Sequence, residues 1–125
     1  MMISVFTLIL ILIIHLEADF SMQTHQMAIN KSKSNYWLTL HVLVYTGVTL
    51  LFWRFLIFDI DKNYLLSDYI KFSLFIFTTH WITDYITSRI SSKYFGSNDY
   101  HNGFLTVGCD QLAYTIQLII AYFLF

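Results

Sequence analysis

The chain has 125 residues, of which 57% are hydrophobic and only 12% are charged, and its formal net charge is −1. Because ordinary soluble domains carry about a quarter charged residues, this composition argues against a soluble globular domain. The near-neutral charge argues against a nucleic-acid-binding surface, which needs many cations to neutralise phosphates. The single cysteine, Cys109, excludes an intrachain disulfide.

Four apolar segments follow one another along the chain, at residues 2–20, 36–58, 69–90 and 104–125. Each is long enough to cross about 30 Å of hydrocarbon as a helix. The first lacks a basic start and a small-residue cleavage site, so we expect it to stay in the mature protein. Because backbone in lipid must satisfy its own hydrogen bonds, the pattern predicts an all-α, integral membrane bundle of four antiparallel helices in a single domain, 1–125.

The positive charges suggest an orientation for this bundle. Four cations lie beside the first and third connections, and three lie on the opposite side: Lys31, Lys33, Arg89 and Lys93, against Arg54, Lys62 and Lys71. The positive-inside rule therefore predicts that the first and third connections are cytoplasmic and that both termini are outside.

Ionisable side chains interrupt all four apolar segments. Counted along helices at about 1.5 Å per residue, they fall in one layer near the surface that carries the first and third connections. Such residues in hydrocarbon are costly and usually face a bundle interior, where they pair and mark function. The layer consists of His15 and Asp19, His41, His80 and Asp84, and Asp110.

The spacing within this layer repeats. The first pair of segments contains His15-x3-Asp19 and then His41-x3-Tyr45, and the second contains His80-x3-Asp84 and then Asp110-x3-Tyr114. Residues four apart share one helix face. The repeat therefore predicts two similar helical hairpins that pack face to face and build a site at their interface.

Imidazole and carboxylate groups together are the ligand set of zinc, and also of manganese and iron. We expect a divalent metal, with zinc the preferred candidate, and metal-assisted hydrolysis near the membrane surface as the hypothesis for activity. The predicted first ligands are His15, Asp19, His80 and Asp84, while His41 and Asp110 complete the coordination or act as catalytic base.

Two other interpretations of the layer stay open from sequence alone. It can form a metal-free ion or proton conduit, or a polar network that holds helices or an oligomeric assembly together.

Arg89 is a candidate contact for an anionic substrate group. The alternative that we favour has Arg89 and Lys31 reaching lipid headgroups. The expected partners are the lipid bilayer and a second copy of the chain, with no nucleic acid.

Several motifs resemble those of small bacterial and phage membrane proteins grouped as domain-of-unknown-function family 3307. They are residues 18–31 after His15, His41-x3-Tyr45, His80-x3-Asp84 followed by Ser88-Arg89, and Asp110-Gln111. The resemblance covers nearly the whole chain, implies a bacterial inner membrane and brings no established activity. The chain is also similar to membrane-bound metal-dependent hydrolases, which likewise place histidine and aspartate in apolar helices, but this second likeness is an analogy only. Family members often carry a histidine four residues after the aspartate, where this chain has Tyr114, which implies a lost ligand or its replacement by a phenol.

Overall fold

The computed structural model describes residues 2–57 and 63–125, and within them the chain is all-helical, which confirms the predicted class. These described residues form five α-helices, and the first continues directly into a π-helical turn. Their bounds are α1 Val5–Leu16, the π-helical turn Glu17–Ser21, α2 His25–Asn30, α3 Asn35–Leu56, α4 Leu66–Gly96 and α5 Tyr100–Leu124.

Two of these helices, α3 and α5, are long and apolar enough to cross a membrane, judged by length and composition alone. Buried core helices of soluble proteins can meet the same criterion. The first predicted segment is divided between α1 and the π-helical turn, and the third lies inside the longer helix α4. Residue 58, which ends the second predicted segment, and Lys62 lie outside the described residues. A bundle with four membrane-crossing helices therefore stays a prediction.

Polar side chains begin three of the helices by accepting hydrogen bonds from free backbone N–H groups. Ser4 Oγ accepts from Thr7 N at 3.0 Å at the start of α1, and Thr24 Oγ1 accepts from Met27 N at 3.2 Å at the start of α2. Asp99 caps α5 and accepts from both the side chain and the backbone of Asn102, which lowers the pKa of its carboxyl below the usual value. The short helix α2 lies in a stretch that hydropathy alone assigns to a polar connection.

The long helices pack so that each has two neighbours. Helix α1 contacts α3 and α5, and α4 also contacts α3 and α5, while the short helix α2 packs on α3. The buried face of α4 changes character along its length: Phe72 and Ile76 are apolar, and His80, Asp84 and Ser88 follow at intervals of four residues. The interior is therefore apolar towards the start of α4 and polar towards its end.

A close approach joins the end of α4 to the start of α5. Asn98 lies between them with φ 59°, a left-handed conformation that asparagine tolerates better than most residues. A Cβ atom added at Gly103 would lie 2.7 Å from the Phe95 ring. The glycine thus lets the two helices meet next to the polar half of the interior.

Candidate metal centre

Three different elements supply the residues at the centre of the polar interior. Asp19 lies in the π-helical turn, His41 in α3 and His80 in α4. Asp19 is 3% exposed and the two histidines are fully buried. A π-helical turn is a rare departure from α-helical spacing that often occurs at functional sites. In this protein the π-helical turn carries Asp19, which is the carboxylate among these three residues.

The polar atoms of these three side chains point at one another. His41 Nε2 lies 3.2 Å from Asp19 Oδ1 and 3.3 Å from His80 Nε2, and His80 Nε2 lies 3.6 Å from Asp19 Oδ1. Among the described residues, this is the one set of three or more potential ligands that lie within 4.8 Å of one another. The buried Asp19/His41/His80 cluster, which we call the triad, can therefore hold a metal ion.

The spacing of the triad fits the dimensions of such a site. Around a tetrahedral ion with bonds of about 2.0–2.1 Å, two ligand atoms are about 3.3–3.4 Å apart. The three observed separations, between 3.2 and 3.6 Å, bracket that value. Both imidazoles make their polar contacts through Nε2, whereas both Nδ1 atoms are buried with no hydrogen-bond partner in the described part of the chain. The two rings thus direct their polar contacts to one point.

A chain of hydrogen bonds orients the Asp19 carboxylate. Gln111 Nε2 donates to Asp19 Oδ2 at 3.2 Å, which leaves Oδ1 facing the histidines. The Gln111 amide oxygen accepts a short hydrogen bond from His15 Nε2, and His15 Nδ1 lies 3.3 Å from the Tyr45 hydroxyl. The donor direction of Gln111 assigns the proton of His15 to Nε2, so that Nδ1 accepts from Tyr45. Partners of this kind fix the orientation of metal ligands.

Two tyrosines pack against the ring of His80. Tyr45 stacks on it with ring centroids 3.7 Å apart and an interplanar angle of 12°. Tyr114 lies on the ring at 4.0 Å and 34°. Tyr114 occupies the position at which the family resemblance implied a histidine, and here its ring packs against the triad.

Asp84 lies next to the triad and connects it to a lysine. Its Oδ2 atom is 3.4 Å from His41 Nε2 and 3.2 Å from Lys31 Nζ. The Lys31 side chain is only 18% exposed. The ammonium therefore faces the interior and pairs with a buried carboxylate, in contrast to the headgroup position that we favoured from sequence.

The remaining predicted residues are placed around this centre. Asp110 is buried, and its Oδ1 accepts from Thr87 Oγ1 at 2.6 Å. Arg89 donates to Asn35 Oδ1 at 2.8 Å, and its guanidinium lies 3.8 Å from the centroid of the Tyr85 ring. Arg89 is thus engaged by protein groups.

The structure buries all six predicted ligands and brings three of them together as the triad. Asp84 contacts His41 of the triad at 3.4 Å and is paired with Lys31, whereas His15 and Asp110 are held by other partners. Sequence reasoning assigned no role to Gln111, although it stands beside Asp110 in a motif that the sequence singled out. The amide side chain next to a buried carboxylate was the signal that could have indicated its role.

A small cavity of about 140 Å³ adjoins the triad, and we call it the inner cavity. Its polar lining combines three carboxylates with one ammonium, two amides and two hydroxyl groups: Asp19, Asp84, Asp110, Lys31, Gln23, Gln111, Ser88 and Ser91. Gln23 Oε1 and Asp84 Oδ1 are buried with no hydrogen-bond partner in the described residues. The cavity therefore leaves room beside the triad for a small polar ligand.

Comparison with known proteins places the chain in a family. The family model described as "Protein of unknown function (DUF3307)" matches residues 7–125, so the chain belongs to this family and the predicted resemblance is confirmed. No curated protein and no solved structure matches the chain.

Proposed function

We propose that this member of the DUF3307 family is an integral membrane protein that binds one divalent metal ion through Asp19, His41 and His80. The observation that carries the proposal is the convergence of one carboxylate oxygen and two imidazole nitrogens within 3.6 Å in a buried position. Two imidazoles and one carboxylate form a common catalytic zinc set, and zinc is therefore the preferred ion.

The distribution of polarity supports the membrane part of the proposal. Large apolar side chains on several helices face outward: Phe6 is 70% exposed, and Leu74 and Leu112 are each 61% exposed. The interior contains apolar side chains and also buries three histidines and three aspartates. A soluble protein rarely buries charged groups and rarely exposes large contiguous apolar surfaces. Apolar groups on the outside together with ionisable groups inside are what hydrocarbon around the molecule favours.

Hydrolysis is the chemistry that we propose for the site. A divalent ion held by three protein ligands supplies an open coordination position and lowers the pKa of a bound water. The inner cavity reaches the triad at Asp19, and in this proposal it is the route by which a substrate group approaches the ion. Asp110 lines the same cavity with its carboxylate held by Thr87, and this carboxylate is placed to accept a proton.

A specific observation favours a second candidate, a metal-free polar network. Gln111 already donates to one Asp19 oxygen, Lys31 already compensates Asp84, and His41 lies within 3.4 Å of both carboxylates. If His41 is protonated, these contacts stabilise the buried charges without an ion, and the layer then serves to hold the helices together.

Elemental analysis of the detergent-purified protein distinguishes the two candidates. We expect about one zinc per chain after exposure to a mixture of divalent metals, and loss of that zinc in His41→Ala and His80→Ala. The control is His101→Ala, which removes an exposed histidine at the start of α5. Metal addition should also raise the melting temperature of the wild type but not of the triad variants. A folded wild type that takes up no metal would favour the polar network.

Two further measurements test the other parts of the proposal. The protein should stay in the membrane fraction after alkaline extraction, and recovery as a monodisperse protein without detergent would refute the membrane assignment. Asp110→Asn should retain the metal but lose hydrolysis of ester and phosphoester probes. Equal turnover by the wild type and Asp110→Asn would refute the role of Asp110 as base.

A further inference from the structure

A second cavity, of about 490 Å³, lies where the connection after α2 passes over the last three turns of α4, and we call it the outer groove. Its polar lining consists of ammonium and hydroxyl groups only: Lys31, Ser32, Lys33, Ser88, Ser91 and Ser92. None of the described residues that line it carries a carboxylate. The groove is therefore rich in hydrogen-bond donors, and its positive charge comes mainly from the exposed Lys33, because Lys31 is paired with Asp84.

The outer groove and the inner cavity share part of their walls. Lys31, Ser88 and Ser91 line both. Ser88 is only 7% exposed, and its Oγ is buried with no hydrogen-bond partner in the described residues. A buried hydroxyl group that lacks a partner costs free energy, and a ligand in either cavity can supply that partner.

The two cavities differ in the charged side chains that line them. The three carboxylates, Asp19, Asp84 and Asp110, line only the inner cavity, and the Lys31 ammonium lies between them and the outer groove, 3.2 Å from Asp84. An anion in the outer groove therefore meets lysines first and is separated from the carboxylates. A cation is favoured in the inner cavity for the same reason.

We infer that the outer groove binds a phosphate group, and that phosphate-bearing molecules are the substrate class of the adjoining site. Ammonium and hydroxyl donors match the several acceptor oxygens of a phosphate, and hydrogen bonds between charged partners are the strong ones. Recognition of the phosphate rests on the groove alone. Its assignment as substrate rests on the metal-dependent hydrolysis proposed above.

Calorimetric titration of the protein in a maltoside detergent tests the recognition step. Inorganic phosphate is one probe, and short-chain phosphatidic acid is the other, with short-chain diacylglycerol as its phosphate-free counterpart. Lys33→Gln should weaken binding of the phosphate probes at least tenfold, because it removes an exposed ammonium of the groove without touching the triad. The matched control is Lys93→Gln, an exposed lysine of α4 that lines a different cavity.

The outcomes separate the two sources of phosphate and the two proposals. Binding of both phosphate probes supports a site for the phosphate group itself, and binding of phosphatidic acid without inorganic phosphate or diacylglycerol supports a lipid headgroup. Binding of neither probe, or equal weakening by Lys33→Gln and Lys93→Gln, overturns the inference. The titration is then repeated after the metal has been removed with a chelator. If phosphate still binds, the phosphate-site proposal holds even where the metal proposal fails. If phosphate does not bind, the measured metal stoichiometry still tests the metal proposal by itself.

Discussion

Replacing Gln111 with methionine should weaken metal binding although Gln111 is not a ligand. The side chain donates to Asp19 Oδ2 at 3.2 Å and accepts from His15 Nε2. Methionine has a similar length and no strong hydrogen-bonding group, so the change leaves the carboxylate free to rotate away from the histidines. The triad would then lose its only anionic ligand from the observed geometry.

Two independent estimates agree on the size of this effect. A hydrogen bond to a charged group contributes about 1.5–3 kcal/mol. Loss of a group that orients a metal ligand typically lowers metal affinity by about 10–100-fold, which corresponds to about 1.4–2.7 kcal/mol. The Gln111–Asp19 hydrogen bond contributes to metal affinity only to the extent that it favours the carboxylate orientation that binds the metal. We therefore expect a loss of about 10-fold or more for Gln111→Met.

Competition against a chromogenic zinc chelator measures this change, with Gln117→Met as the matched control. Gln117 also lies on α5 and also makes a hydrogen bond to another helix, because its Nε2 donates to Thr83 Oγ1 of α4 at 2.8 Å, but it makes no hydrogen bond to the triad. The control should bind zinc as the wild type does. Wild-type affinity in Gln111→Met, or an equal loss in both variants, would refute the role assigned to Gln111.

The remaining predictions concern stability, measured by thermal unfolding in detergent. Lys31→Met should lower the free energy of unfolding by about 3 kcal/mol, because it leaves the Asp84 carboxylate buried without its ammonium partner. The double variant Lys31→Met with Asp84→Asn should recover part of this loss. If the effects of the two substitutions are simply additive, the pairing is contradicted. Gly103→Ala should cost about 1–3 kcal/mol, because its Cβ would lie 2.7 Å from the Phe95 ring. At Gly108 on the same helix, an added Cβ would meet no described atom within 4 Å, so Gly108→Ala should stabilise the protein slightly. Equal effects of the two glycine substitutions on stability would contradict the close approach of α4 and α5.

The helical class and the two helices that are long and apolar enough to cross a membrane could be predicted from hydropathy, because long apolar runs without proline have few alternatives. The short helix α2 was missed because only its cap, Thr24, and the buried Met27 distinguish it from a polar connection. The π-helical turn that carries Asp19 could not be predicted, since sequence patterns assume α-helical spacing. That any of the four segments crosses a membrane remains a prediction.

Burial of the polar layer could be predicted, but the arrangement within it could not. Depth along a helix follows from residue number, whereas the direction in which a side chain points depends on how the helices rotate against one another. Equivalent positions of the predicted repeat consequently differ: His80 joins the triad, while His15 bonds to Gln111 and Tyr45. The inward turn of Lys31 likewise depends on the path of a connection that has no periodic signal.

Anomalous diffraction from crystals grown with zinc tests the central claim most directly. We predict one strong peak at the zinc absorption edge, at bonding distance, about 2.0–2.2 Å, from Asp19 Oδ1, His41 Nε2 and His80 Nε2, and no peak in His80→Ala crystals grown in the same way. Wild-type crystals without a peak at the triad, or with the ion bound only to exposed residues such as His25 and His101, would contradict the account.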